Sequence, residues 1–162
     1  VNVNSESSVL GGAGNVINNL RALDSQVDVI SVVGGCEISD ELKALLTDIQ
    51  VNTQYLITQK DRITSKKSRI IAAQQQVVRY DRESTDEISN ESQTQILASF
   101  KSIINNYDGV LLSDYGKGLL TLKLTQAIIT LANENGKKVL IDPKGLDYSK
   151  YTGAYLLTQN EN

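Results

Sequence analysis

The chain has 162 residues, with 16 Lys and Arg against 19 Asp and Glu, a net charge of −3 and a pI near 5.0. That balance gives no general attraction to nucleic acid or to an anionic membrane surface, and neither is expected as a partner. The chain has no histidine, which excludes imidazole acid–base catalysis and His-based metal sites within it, and its single cysteine, Cys36, excludes an intrachain disulfide.

No apolar run approaches the roughly 20 residues that span a bilayer. The N-terminus lacks the basic and apolar regions of a signal peptide, so a cytoplasmic location is expected. The first residue is Val rather than Met, which suggests a cut chain.

Residues 1–9 alternate weakly and predict a short strand. Gly11 to Gly14 form a loop, and Val16, Ile17, Leu20 and Leu23 mark one face of a helix. Val27 to Val33 reads as a strand closed by Gly34-Gly35, and Ser39 as the cap of a helix carrying Leu42, Leu45, Leu46 and Ile49. Residues 54–82 change character: two β-rich runs, Ser68–Ala72 and Val77–Tyr80, flank Gln74-Gln75-Gln76 and predict a hairpin. Residues 89–107 return to helix. A strand ending at Leu112 follows, then a helix with Leu124, Ala127, Ile128 and Leu131, a strand ending at Ile141, and a strand over Ala154–Leu157.

Alternating strands and helices predict an α/β fold, a mostly parallel Rossmann-like sheet with helices on both faces. The hairpin interrupts that pattern and reads as a small β lid, built from about 1–9 and 54–82.

Two segments carry the clearest chemistry. Val110-Leu111-Leu112 runs into Ser113-Asp114-Tyr115-Gly116-Lys117-Gly118, and Val139-Leu140-Ile141 runs into Asp142-Pro143-Lys144-Gly145. Ligands of open α/β sheets bind at the carboxyl ends of the strands. Two acids and two lysines there suit a polyhydroxylated, anionic ligand. Each acid alone could cap a helix or form a turn; the pair favours a site.

Gly11-Gly12-Ala13-Gly14-Asn15 opens a helix. It reads equally as a simple turn or as a close backbone approach to a ligand, with free amides and the Asn15 side chain for hydroxyls. Lys67 and Arg69 share one face of a strand. They suit a phosphate, or else protect a solvated edge strand by charge.

In order and spacing, these segments, with Gln75-Gln76-Val77-Val78-Arg79-Tyr80-Asp81 and Leu157-Thr158-Gln159-Asn160, resemble the ribokinase-like (PfkB) carbohydrate kinases. Within them the Ser-Asp-Tyr-Gly-Lys-Gly and Asp-Pro-Lys-Gly pair points to the D-glycero-β-D-manno-heptose 7-phosphate kinases, whose domain is often fused to an adenylyltransferase.

The resemblance implies an ATP- and Mg²⁺-dependent enzyme of ADP-heptose and lipopolysaccharide core biosynthesis. It would phosphorylate heptose 7-phosphate at O1 and dimerise through the β lid. It places Gly11, Gly12, Asn15 and Asp114 at sugar hydroxyls, Lys67 and Arg69 near the sugar phosphate, and Lys144 at a phosphate. Asn160 matches the Asn-x-x-Glu element that organises Mg²⁺ and nucleotide, with Gln159 in place of the usual proline. The family's catalytic Gly-Ala-Gly-Asp segment, its adenine pocket and its leading strand have no counterpart in 1–162.

The chain is therefore expected to be part of one kinase domain, inactive alone, with no catalytic residue of its own and no metal site. Other readings are a different ribokinase-like sugar-phosphate kinase, or a non-catalytic dimerising module.

Overall fold

The computed structural model describes residues 3–145 and 147–158. Helix α1 (Ala13–Ala22) leads to strand β1 (Ser31–Val33), helix α2 (Glu37–Asp48) and strand β2 (Leu56–Thr58). The hairpin β3 (Lys66–Ala72) and β4 (Gln75–Arg82) follows. Helix α3 (Asn90–Ile103), strand β5 (Gly109–Ser113), helix α4 (Leu122–Glu134), strand β6 (Lys138–Asp142) and strand β7 (Leu156–Leu157) complete the order. Short 3₁₀ turns lie at Ile104–Asn106 and Ser149–Tyr151.

The expected α/β class and parallel pairing are both present. β5, β6 and β7 form one parallel ladder, and β1 and β2 another. Among the described residues these ladders are separate rather than one continuous sheet. Between Ile30 and the free edge of β5 lies a cavity of about 160 Å³, lined by side chains that include Ile96, Phe100, Val110 and Ile128.

The core forms where the sequence is most continuously apolar. Val139 and Ile141, two residues apart on one face of β6, are fully buried, while Leu140 on the other face is only partly covered. α4 presents Leu124, Ile128, Ile129 and Ala132 to it, and α3 adds Ile96 and Phe100. Both helices start on hydroxyl caps: Ser89 Oγ accepts from the Ser92 amide and Thr121 Oγ1 from the Leu124 amide, each at 3.1 Å. The pairing of Ser113 with Asp142 brings the ends of β5 and β6 level, and the Asp114 amide extends the ladder by donating to the Asp142 carbonyl at 2.8 Å.

Several elements differ from the sequence reading. Residues 3–9 form no strand: Val3 and Val9 are 76% and 85% exposed, so no burial offsets the entropy of ordering this stretch. The expected strand 27–33 keeps only Ser31–Val33, preceded by a single bridge from Asp28 to Asn52. Leu56–Thr58, assigned to the lid from sequence, pairs with β1 in the body, so the antiparallel hairpin spans only 66–82.

The hairpin turn falls at Ala73-Gln74, both with positive φ (49° and 65°), the handedness a two-residue turn needs to match strand twist. A register shift follows Ile70. α2 is capped at Cys36 rather than Ser39. The Ser39 hydroxyl is buried and turned inward, bonding the Gly34 carbonyl at 2.5 Å and the Thr64 hydroxyl at 2.7 Å.

At the opposite end of β5, the Tyr107 hydroxyl donates to Asp28 Oδ2 at 2.5 Å. Burial, then this bond and the Asp28 charge, push the Tyr107 phenol up to about 12. A phenol whose folded pKa exceeds its unfolded value near 10 stabilises the fold below that pH and loses the contribution as pH rises toward 12. Urea unfolding should therefore show alkaline destabilisation beginning near pH 10. Tyr107→Phe should reduce it, and an unchanged alkaline limb would show that another group carries it.

Candidate functional site

The carboxyl ends of β5 and β6 meet the start of α1. Gly12 has φ 54° and ψ −126°, and no side chain caps the amides that open α1. An added Cβ at Gly12 would lie 3.7 Å from the Tyr115 ring, so the ring lies against this turn. The next residue, Gly116, has φ 65°, and a Cβ there would come within 3.3 Å of Lys144 Cγ. The Tyr115-Gly116 loop thus lies between the glycine turn and Lys144. Burial, then the negative charge of Asp142, raises the Tyr115 phenol.

Asp114 is only 5% exposed and sits beneath this loop. Its Oδ1 accepts from the Gly116 amide at 2.8 Å, and its Oδ2 from the Tyr151 hydroxyl at 2.7 Å. Lys150 forms an ion pair with the same Oδ2 and donates to the Leu120 carbonyl at 3.2 Å. Burial raises the carboxyl, but Lys150, the Gly116 amide and Tyr151 outweigh it and hold Asp114 below the ordinary carboxylate range.

The lysines closest in sequence are therefore not the partners of Asp114. Lys117 pairs with Glu83 just past β4, while Arg62, ahead of β3, donates to the carbonyls of Lys117 and Asp86. These bonds fasten the base of the hairpin to the rim loop. Lys66 adds a tie from β3 to Glu41 of α2 at 3.2 Å.

Of the residues expected at the site, Gly12 and Lys144 are brought together through the Tyr115-Gly116 loop, with Asp114 supporting it from below. Gly11 and Asn15 are exposed on the same turn. Lys67 and Arg69 are exposed on the hairpin, opposite Asp81 and Arg79, and Arg79 itself chelates Asp81 at 2.9 and 2.6 Å. Among the described residues no bond links Lys67 or Arg69 to the rim. Asn160 lies outside the described residues.

Sequence reasoning missed Lys150 and Tyr151. They follow Asp114 by 36 and 37 positions in a segment without helical or strand periodicity, so no local pattern signalled them.

Among the described residues no group of three or more Asp, Glu or Cys side chains is placed to hold a cation. The rim instead offers the exposed Lys144 ammonium, the exposed Asn15 side chain and the Asp142 carboxylate, while the Gly14 and Asn15 amides already donate to the Gly11 and Gly12 carbonyls at 3.0 Å. The side chains suit a ligand with hydroxyls and a negative charge.

Fold and rim together define an α/β protein whose ligand side is built on the ends of parallel strands and on a glycine-opened helix. The family model described as pfkB family carbohydrate kinase matches residues 1–162, and the chain belongs to that family.

The bifunctional protein HldE of Aliarcobacter butzleri is 59% identical over 161 residues, covering 99% of this chain and 34% of its own length. HldE of Sulfurimonas denitrificans is 54% identical with the same coverage, so the chain spans about a third of the length of these relatives. Among solved structures, Sa239 superposes with a TM-score of 0.66 at 16% identity, over 97% of this chain and 53% of that one. Escherichia coli phosphofructokinase-2, in its tetrameric inhibited form, superposes with a TM-score of 0.60 at 17% identity, over 87% and 45%. A putative ribokinase II from E. coli, in complex with ATP and Mg²⁺, gives 0.58 at 14% identity, over 82% and 42%. At such identities the structural likeness speaks for the fold.

Proposed function

We propose that this chain supplies the sugar side of a kinase that transfers the γ-phosphoryl group of MgATP to O1 of D-glycero-β-D-manno-heptose 7-phosphate, a step toward ADP-heptose for lipopolysaccharide. The observation that carries this reading is identity of 54–59% to HldE proteins over 161 residues, a span long enough to take in both rim segments. In the transfer the anomeric oxygen bonds to phosphorus, the bridging oxygen leaves with ADP, and a base takes the hydroxyl proton.

Gly11, Gly12 and Asn15 face the sugar hydroxyls in this reading. Lys144 meets a phosphate, Lys67 and Arg69 attract the 7-phosphate from the hairpin, and Asp114 holds the loop against the sugar. Asn160 belongs to the nucleotide and Mg²⁺ side. The phosphoryl donor is assigned from the family, and a fold neighbour described in complex with ATP and Mg²⁺ supports it.

A homodimer through the hairpin fits the exposure of all of β4, including Val77, Val78 and Tyr80. A cytoplasmic location fits the soluble phosphorylated substrates. Among the described residues no helix is long and apolar enough to cross a membrane.

The test is a coupled ADP-release assay on the full-length gene product with heptose 7-phosphate and a panel of hexose phosphates. Mg²⁺-dependent turnover of the heptose is expected, and preference for a hexose phosphate, or no turnover, would reject the assignment. Residues 1–162 alone should release no ADP above background, and clear turnover would show that they carry the catalytic base themselves.

A further inference from the structure

We propose that Tyr151 and Lys150 are positioning residues for the ligand side of the rim. Through Asp114 they set the placement of the Tyr115-Gly116 loop, and through the Tyr151 hydroxyl that of the Lys144 backbone, so they govern sugar-phosphate affinity without touching the ligand. The inference rests on the sugar-kinase reading above.

The Tyr151 ring is 1% exposed and belongs to the core. A phenylalanine would fill that place equally well. A buried hydroxyl is unfavourable unless it is bonded, and this one has two partners: it donates to Asp114 Oδ2 at 2.7 Å and faces the Lys144 amide at 3.4 Å. Lys150 closes the other side of the same carboxylate and lies 5.1 Å over the Tyr151 ring. The Asp114 Oδ1 atom then fixes the Gly116 amide.

The rim loop 114–116 and the segments 142–144 and 150–151, which follow it by some 30 positions, are thus tied through one carboxylate and one phenol. The 150–151 segment is also anchored independently. Gln126 of α4 donates to the Lys150 and Thr152 carbonyls at 2.7 and 3.2 Å. Loss of the Tyr151 hydroxyl therefore leaves the segment seated and frees the loops it aligns.

The experiment compares full-length wild type, Tyr151→Phe, Lys150→Met and Lys150→Arg. Tyr151→Phe should raise the sugar-phosphate KM about tenfold, the equivalent of one lost hydrogen bond, with kcat and the KM for ATP within about twofold. Lys150→Met should shift the same parameter, and Lys150→Arg should recover it, because a guanidinium can still pair with Asp114. Faster NMR amide exchange at Gly116 and Lys144 in Tyr151→Phe is expected whatever the substrate.

An unchanged KM with a lowered melting temperature would reduce both residues to structural ones and overturn the inference. So would equal losses in kcat and in the KM for ATP. If wild type phosphorylates no sugar phosphate, the kinase assignment fails, and the inference about affinity fails with it. Altered amide exchange would then report only the loop tie.

Discussion

Gly118→Ala is expected to destabilise the fold by roughly 4 kcal/mol or more, a loss large enough to leave little folded protein. Two effects coincide there. Gly118 has φ 72°, and a Cβ would fall 1.9 Å from the Asp86 carbonyl oxygen and 2.8 Å from the Glu87 amide nitrogen, both backbone atoms. The close approach is needed because the Gly118 carbonyl accepts from the Ile88 amide at 3.0 Å, joining the rim loop to the segment that leads into α3.

Two further glycines separate the contributions. Gly136 has φ 67° with nothing within 4 Å of its Cβ position, so Gly136→Ala should cost only the left-handed conformation, about 1 kcal/mol. Gly34 is not at positive φ, but its Cβ would lie 2.1 Å from the Arg62 carbonyl oxygen. Overpacking of that kind costs about 1–3 kcal/mol. Urea midpoints should fall in the order Gly136→Ala, Gly34→Ala, Gly118→Ala. If Gly136→Ala is as damaging as Gly118→Ala, the loss comes from the backbone conformation and the overlap argument is wrong.

The parts of this fold that could be read from sequence are those governed by local pattern. β5 and β6 are continuous apolar runs stopped by turn residues, and they proved to be adjacent parallel strands with level ends. The hairpin was visible from its β-rich runs, but its turn was not. Ala73-Gln74 carries none of the glycine or asparagine that marks a left-handed pair, and the runs therefore seemed to be separated by Gln74-Gln75-Gln76.

Ser39 misled for a related reason. A serine before an apolar helical stripe has the form of a cap, but here its hydroxyl meets Gly34 and Thr64 across the fold. The site divides along the same line. Gly12 and Lys144 were legible as neighbours on the strand-end rim because each lies at an element end. The lysine that pairs with Asp114 could not, because Lys150 arrives from a different segment, and the nearer Lys117 is taken by Glu83. Sequence proximity suggested the residue types of the ion pairs and gave no guide to the pairing.

Asp114→Ala is expected to lower stability by about 3 kcal/mol, toward the lower end for removing one partner of a buried ion pair, because Lys150 is 26% exposed and can rehydrate. The substitution leaves the buried Tyr151 hydroxyl and the Gly116 amide without their acceptor. A double-mutant cycle tests whether the uncompensated charge dominates. Asp114→Ala with Lys150→Met should recover a substantial part of the loss, and strict additivity would show that the pair contributes little.

The pH profile gives a second check. The Asp114 carboxyl is held below its usual range despite burial, so its contribution is present above an unfolded pKa near 4 and disappears as pH falls through the lower folded value. Burial acts to lower Lys150, but the bond to Asp114 outweighs it and the net shift is upward. Its contribution is complete below about pH 10 and is lost as pH rises through the higher folded value. Wild-type stability should therefore keep this contribution between those limits and lose it on both sides, and the double variant should lose less at each extreme. The same carboxylate orders Gly116, so Asp114→Ala in the full-length kinase should also raise the sugar-phosphate KM. A destabilised variant with unchanged KM would confine Asp114 to the fold.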